Sequence, residues 1–279
     1  MDIFINDRPA DITLDTEKTL GDVLSGIELW VSSSGSRIMA ISLDGQALPG
    51  DALSAVFDKD VNEVKKLDIT VSAYRDLATE AFGLLLATCE FYRDASFEER
   101  PPIVQAWEQS AAAHFLQTDI SDVYDSAART FSGEGLPVTD IITLAEERLR
   151  EILNPALEIS GCEELVKSIT ERMERLPLDM QTGKDQLAAE TMQLFTKACE
   201  KLFRIFFVLE SEGFSLNSIV VDEITVRAFI EEFNAALTEI SAAYANRDTV
   251  LVGDLSEYEL APRLLKFYSA LKNFSEKTL

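Results

Sequence analysis

Residues 66–71 read Lys-Leu-Asp-Ile-Thr-Val (KLDITV), a strict alternation of polar and apolar side chains. This alternation has the period of a β-strand that buries one of its two faces. Leu67, Ile69 and Val71 are therefore predicted to face a hydrophobic core, with the polar residues between them on the opposite face. The other elements of an N-terminal sheet follow when the sequence is read outward from this strand.

A β-hairpin is predicted upstream of this strand. Residues 37–43 have strand character, and residues 46–48 would form a short partner strand. Asp44 and Gly45 lie between them, and an Asp-Gly pair strongly favours a two-residue hairpin turn. Residues 51–62 are predicted to connect this hairpin to the strand at 66–71.

A second hairpin and a helix are predicted at the start of the chain. Residues 2–6 (DIFIN) and 11–14 (DITL) alternate as two strands, and residues 7–10 have turn composition. Thr19 lies immediately before the predicted helix, and Asp22 lies three residues after Thr19. This spacing is a variant of the capping-box motif. The predicted buried stripe of that helix has apolar residues at helical spacing: Leu20, Val23, Leu24, Ile27 and Trp30.

This order of elements resembles the ubiquitin-like β-grasp fold over residues 1–73. The resemblance rests on element order and periodicity, and it implies a fold without implying a function. Relatives that act as carriers expose a C-terminal diglycine, whereas here the last strand continues through Ser72-Ala73-Tyr74-Arg75 into a helical pattern. The resemblance therefore implies the other common use of the fold, as a docking module.

The outer face of the predicted sheet is a candidate partner surface. Phe4 and Ile38 are expected to point away from the core side chains and to form an apolar patch there. Two interpretations are open: the patch is covered by the rest of the chain, or it contacts another protein.

The rest of the chain, residues 74–279, is predicted to be an all-α domain, which makes the whole an α+β protein. Apolar residues recur at helical spacing throughout, with short connections between the segments. Residues 177–183 are expected to form a loop, with a possible domain boundary near 177–184. The run at 249–267 resembles segments of uncharacterised bacterial helical proteins, which implies a bacterial origin.

Composition restricts the classes of partner and compartment. A net charge of −24 opposes nucleic-acid binding and favours a protein partner, for which a basic surface would be complementary. The first residues lack the basic and apolar regions of a signal peptide, and no apolar run reaches the length that a membrane-spanning helix needs. Three cysteines without CxxC spacing favour free thiols, so a cytoplasmic location is predicted.

No catalytic, cofactor-binding or metal-binding residues are predicted. The single histidine, His114, is placed on the apolar side of a helix, and a transition-metal site normally needs several His or Cys ligands. Residues 58–62 match the start of a calcium loop, but Glu63 and Ile69 stand where such a loop has Gly and Glu.

These observations favour a cytoplasmic, non-catalytic adaptor or scaffold that binds another protein. Two alternatives stay open. One is a binder of a small molecule or lipid within the Phe-rich segment that contains Phe195, Phe203, Phe206 and Phe207. The other, less favoured, is an enzyme that uses carboxylates alone, which would need several acids with raised pKa values in one cleft.

Overall fold

A computed structural model describes residues 1–14, 16–216 and 219–278 of the chain. The chain forms two compact units. The first comprises Met1–Leu149 with Glu210–Phe214, and the second comprises Arg150–Leu209 with Ser215–Leu279. The first unit thus contains the predicted N-terminal module together with the helices that follow it.

A mixed sheet of five strands forms the N-terminal module, followed by helices as predicted. The strand order is β2-β1-β5-β3-β4, with β1 and β5 parallel and the other neighbours antiparallel. The strands are β1 Asp2–Ile5, β2 Arg8–Pro9, β3 Ser36–Leu43, β4 Gln46–Leu48 and β5 Lys66–Ala73. The hairpin turn at Asp44-Gly45 is confirmed, because both residues have positive φ.

Helix α1, Leu20–Ser33, packs on one face of this sheet. The predicted capping box is present: the Thr19 hydroxyl accepts from the Asp22 N–H, and the Asp22 carboxylate accepts from the Thr19 N–H. Leu20 and Ile27 of the helix are buried with Leu67 of β5 in one core cluster. A local cap and an apolar stripe therefore fix this helix over the sheet.

The first hairpin differs from its prediction. The turn lies at Asn6-Asp7, where both residues adopt positive φ, so the second strand begins at once with Arg8. Asn and Asp tolerate this left-handed conformation better than other non-glycine residues. Pairing with β1 reaches only as far as the Ala10 N–H, which donates to the Ile3 carbonyl. The predicted strand at 11–14 does not form.

A β-bulge reverses the predicted orientation of Ile38. Ile38 pairs with Val71 and Ala40 pairs with Thr70, so Met39 is an extra residue in β3. Because of this insertion Ile38 packs against the core cluster. The prediction that Ile38 lies on the outer face is therefore wrong.

The first unit continues directly from the sheet into helices. Helix α2 begins at Tyr74, immediately after β5, and the buried Tyr74 ring lies 5.7 Å from that of Phe115 and 5.4 Å from the Arg37 guanidinium. The helices that start in this unit are α2 Tyr74–Asp94, α3 Arg100–Glu108, α4 Ala111–Asp119, α5 Ser121–Phe131 and α6 Val138–Leu153.

The second unit is helical apart from one short hairpin. Helix α8, Glu163–Gln181, runs through Pro177, so the connection predicted at 177–183 shrinks to the few residues before α9, Asp185–Ser211, and both helices belong to this unit. A π-helix at Leu255–Leu260 continues directly into α12, Ala261–Thr278, in which Pro262 is the second residue. The elements are α7 Pro155–Gly161, α8 Glu163–Gln181, α9 Asp185–Ser211, β6 Val220–Val221, β7 Ile224–Thr225, α10 Val226–Ala245, α11 Thr249–Asp254 and α12 Ala261–Thr278.

The apolar run at 202–209 lies inside α9, where Leu202, Ile205 and Phe206 are buried. A helix that crosses a membrane needs a much longer apolar stretch. Within the described ranges, no helix has one.

Candidate functional site

An apolar groove lies in the N-terminal module, between α1 and the chain that follows β1. Its volume is about 540 Å³. Val23, Gly26, Ile27 and Trp30 of α1 form one wall, and residues 8–14 form the other. The groove exists because the chain leaves the sheet after Ala10, so no paired strand fills the space beside the helix.

Two large apolar side chains of the groove are open to solvent. Trp30 is 56% exposed and Ile12 is 40% exposed. The sequence placed Trp30 in the buried stripe of α1, but Val31 is buried there instead. The tryptophan therefore lies on the open side of the helix, where it lines the groove.

The backbone of Asp11–Leu14, here called the open segment, is unpaired. Among the described residues, none of its N–H or C=O groups has a hydrogen-bond partner. Ala10 and Leu14 pack against the core cluster, while Asp11 and Thr13 are exposed. Ile12 between them is also exposed. The segment thus follows β2 along the chain without a hydrogen-bonded neighbour.

Gly26 leaves the middle of the helical wall bare. A glycine inside a helix destabilises it by roughly 0.5–1 kcal/mol relative to alanine. A Cβ atom added at Gly26 would meet nothing within 4 Å. Packing inside the protein therefore does not require glycine here, and its absent side chain deepens the groove.

Acidic groups predominate around the groove. Of the described residues, Asp11, Glu17 and Asp22 line it together with one cation, Arg8. Hydrogen bonds from the backbone N–H groups of Thr19 and Lys18 lower the pKa of Asp22 below its ordinary value. Asp22 is therefore a stable anion at neutral pH, and the groove attracts positive charge.

The outer face of the sheet has a different character. Phe4 lies there beneath Lys66, whose Nζ is 4.4 Å from the ring centroid and 2.6 Å from the Asp68 carboxylate. Ala40 and Thr70, cross-strand partners on this face, are exposed. The structure thus separates the two predicted surface residues, because Phe4 is on the outer face and Ile38 is on the core side. A partner contact at Phe4 stays a prediction.

The Phe-rich segment is filled by its own side chains. The Phe203 ring centroid lies 5.6 Å from that of Phe233 and 5.0 Å from that of Phe267, and the Phe195 ring lies 6.5 Å from that of Phe233. Phe195 and Phe206 are buried, whereas Phe207 is half exposed. These contacts favour a structural role for the rings, as edge-to-face packing stabilises protein cores.

Reactive groups are not gathered into a site. Within the described residues, no group of three or more His, Cys, Asp or Glu side chains could hold a metal ion. His114 is exposed, contrary to its predicted apolar setting, since α4 begins anew at Ala111 and turns this side chain outward. Burial raises the pKa of the Cys89 thiol to about 12 and raises that of Cys199 as well. These buried thiols are protonated and poorly reactive.

Two family models match parts of the chain. Residues 1–73 match the TP0873 N-terminal domain. Residues 158–270 match a domain of unknown function, DUF8042. No curated protein and no solved structure is significantly similar to the chain. The first match ends where β5 ends and covers all the residues that line the groove.

The sequence did not predict the groove, although two signals of it were present. Gly26 interrupts an otherwise amphipathic helix, and Trp30 lies at the margin of the apolar stripe. Residues 11–14 are unpaired because the hairpin turns early, at Asn6-Asp7. The alternation of polar and apolar residues in the sequence does not reveal where this turn lies.

Proposed function

We propose that this protein is a non-catalytic, cytoplasmic adaptor or scaffold whose N-terminal module docks a segment of another protein in the groove. The observation that carries the proposal is an open apolar groove of about 540 Å³ with Trp30 and Ile12 exposed in its walls. Side chains of this size are enriched at protein interfaces, tryptophan above all. Exposed apolar surface of this kind is typical of a binding site.

The architecture of the module supports docking. Its strand order and the position of α1 after β2 agree with a ubiquitin-like β-grasp fold, which we propose for residues 1–73. Because β5 runs directly into α2, the module has no free tail for conjugation at that point. A module that continues directly into a helix and has an open groove suits a binding role better than a carrier role.

Charge indicates the kind of partner. The chain carries a net charge of −24, and three carboxylates line the groove against one arginine. Opposite charges accelerate association and disfavour wrong partners. The partner is therefore a basic protein segment with apolar side chains, and nucleic acid or a second copy of this acidic chain is disfavoured by repulsion.

The thiols support a cytoplasmic location. Cys89, Cys162 and Cys199 are buried and form no disulfide among the described residues. Proteins of oxidising compartments usually pair their cysteines, whereas cytoplasmic proteins keep them reduced. This supports the cytoplasmic part of the proposal.

Selection of peptides on the full chain tests the docking function. Random peptides displayed on phage would be selected on the wild-type protein, and those enriched would be measured as synthetic peptides by fluorescence anisotropy. Gly26→Leu adds a side chain to the wall of the groove, and its Cβ would meet nothing within 4 Å. Gly83→Leu is the matched control, because Gly83 is an exposed glycine within α2 that is equally free of neighbours.

We expect Gly26→Leu to weaken binding at least about tenfold, a loss of about 1.4 kcal/mol, and Gly83→Leu to leave it unchanged. Circular dichroism would verify that both variants are folded. If no peptide is enriched, or if all enriched peptides bind Gly26→Leu as tightly as wild type, the groove is not a docking site.

A further inference from the structure

We propose that the partner segment binds in the groove as an added β-strand, paired with the open segment, with aliphatic side chains at alternate positions and Lys or Arg between them. This inference rests on the proposed function, since it specifies the conformation and chemistry of the docked segment. It can fail while docking itself stands.

The unpaired backbone of the open segment is the first argument. An edge strand with free N–H and C=O groups is a template for pairing with another chain. Proteins usually blunt such edges, and here β2 does so at Pro9, which has no N–H to donate. Asp11–Leu14 has no such protection, and its polar backbone groups have no partner among the described residues.

The direction of the free donors can be derived from the last bond of the hairpin. The Ala10 N–H donates to the Ile3 carbonyl at 2.9 Å, so it points toward β1. In an extended chain successive N–H groups point to opposite sides. Asp11–Leu14 follows β2, and in the same extended conformation the N–H groups of Asp11 and Thr13 would point away from β1, toward the space that an added strand would occupy.

The second wall of the groove completes the site. Alternate side chains of an added strand project to the same face about 7 Å apart. On that face they would meet Val23, Gly26 and Trp30 of α1, which lie across the groove from the open segment. The bare backbone at Gly26 leaves room for a branched aliphatic side chain. This combination of a free strand edge and an apolar pocket is the general basis of peptide recognition by strand addition.

Charge indicates which side chains suit the positions between the aliphatic residues of the ligand. Side chains between the aliphatic ones project away from α1. Asp11 is exposed beside this edge, and Glu17 and Asp22 lie at the groove. Lys or Arg at the intervening positions would lie on the side of Asp11, and the carboxylates of Glu17 and Asp22 add attraction at longer range. A docked helix would not explain the free edge, because the backbone of a helix is already paired.

Defined peptides test this mode on the full chain. The probe is Lys-Val-Lys-Val-Lys-Val-Lys, capped at both ends, and the control has the same composition with valine at every third position, Val-Lys-Lys-Val-Lys-Lys-Val. Both carry the same charge, so a difference between them excludes simple attraction to an acidic protein. We expect the alternating peptide to bind at least about tenfold more tightly, and Gly26→Leu to abolish that difference.

Two N-methylated forms of the probe separate a strand from other conformations. In one form the valine amides are methylated, and in the other the lysine amides. The N–H groups of these two sets point to opposite edges of a strand, so only one set faces the open segment. We expect one form to lose at least about tenfold in affinity and the other to keep it, because only one form loses its backbone hydrogen bonds to the open segment.

Thr13→Pro removes an outward N–H from the protein side, and Thr13→Ala keeps that N–H while removing the side chain. We expect the proline variant alone to weaken binding of the alternating probe.

Four outcomes of these experiments decide between the proposals. Equal binding of the alternating probe and its control peptide, or of the two methylated forms, would overturn the strand mode. If the alternating probe does not bind while peptides from the phage selection bind in a Gly26-dependent way, the strand mode is wrong and docking remains. If neither binds, both proposals are wrong.

Discussion

The Phe-rich core of the second unit and the groove of the N-terminal module are both apolar, but only the core is filled by the protein's own side chains. Phe195, Phe206 and Phe233 are at most 1% exposed, whereas Ile12 and Trp30 are 40% and 56% exposed. A run of phenylalanines in the sequence is thus a poor guide to a binding site. What distinguishes the groove is that a backbone segment and a helix face each other with nothing between them.

The largest expected effect comes from creating a cavity in the Phe-rich core of the second unit. Phe233→Ala should destabilise the protein by about 3–5 kcal/mol, because the ring is fully buried against Phe195, Phe203 and Phe229 and its loss leaves a cavity. Trp30→Ala is the comparison in the groove, and it should lower the free energy of unfolding by about 1 kcal/mol or less. Urea unfolding followed by circular dichroism measures both. Similar costs for the two variants would remove the distinction between core and groove.

Thiol reactivity gives a second large contrast. Cys89 is buried with a pKa of about 12, and the pKa of Cys199 is raised by the same desolvation. At about pH 8 a thiol reagent should react with native protein at least about a hundredfold more slowly than with protein in urea, since the thiolate is the reacting species. A native rate close to that of the unfolded protein would show that the helices around these thiols are open.

A smaller effect of opposite sign is expected in the groove. Gly26→Ala should stabilise the protein by about 0.5–1 kcal/mol, because alanine is the better helix residue and its Cβ has free space. The same variant should weaken binding of the alternating probe, since the methyl group occupies part of the groove. Thermal unfolding and anisotropy measure the two effects. A destabilised Gly26→Ala protein would mean that this part of α1 is more tightly packed than described.

The smallest effect concerns pH. Hydrogen bonds lower the pKa of Asp22 in the folded protein below 3.8. Its contribution to stability is therefore complete above the unfolded-state pKa and is lost as the pH falls through the folded-state pKa. Amide exchange in the first turn of α1 should quicken slightly between about pH 5 and pH 3 beyond the intrinsic trend. Asp22→Asn should flatten this extra change, and an unaltered profile in that variant would assign it to another group.

Local chemistry explains which elements the sequence could predict. The capping box at Thr19 and Asp22 and the turn at Asp44-Gly45 each specify an element through neighbouring residues alone, and both are confirmed. The continuation of α8 through Pro177 is different, because proline disfavours a helix interior and only the surrounding structure determines the outcome.

The errors at the sheet have one physical origin, the register of a strand. Alternation assigns faces correctly only while no residue is inserted, and the bulge at Met39 brings Ile38 to the core side. At the other edge, the turn at Asn6-Asp7 fixes where pairing ends and leaves residues 11–14 free. The groove depends on this early end of strand pairing, so it could not be predicted from the periodicity of the sequence.

Amide hydrogen exchange on the full chain, with and without the alternating probe, shows whether the open segment pairs with a bound strand. We expect the N–H groups of Asp11 and Thr13, which have no partner among the described residues, to become protected when the probe binds, and Gly26→Leu to prevent this protection. The Phe-rich core should be protected to the same extent in both states. Bound probe with no added protection anywhere in Asp11–Leu14 would show that the open segment does not pair with it.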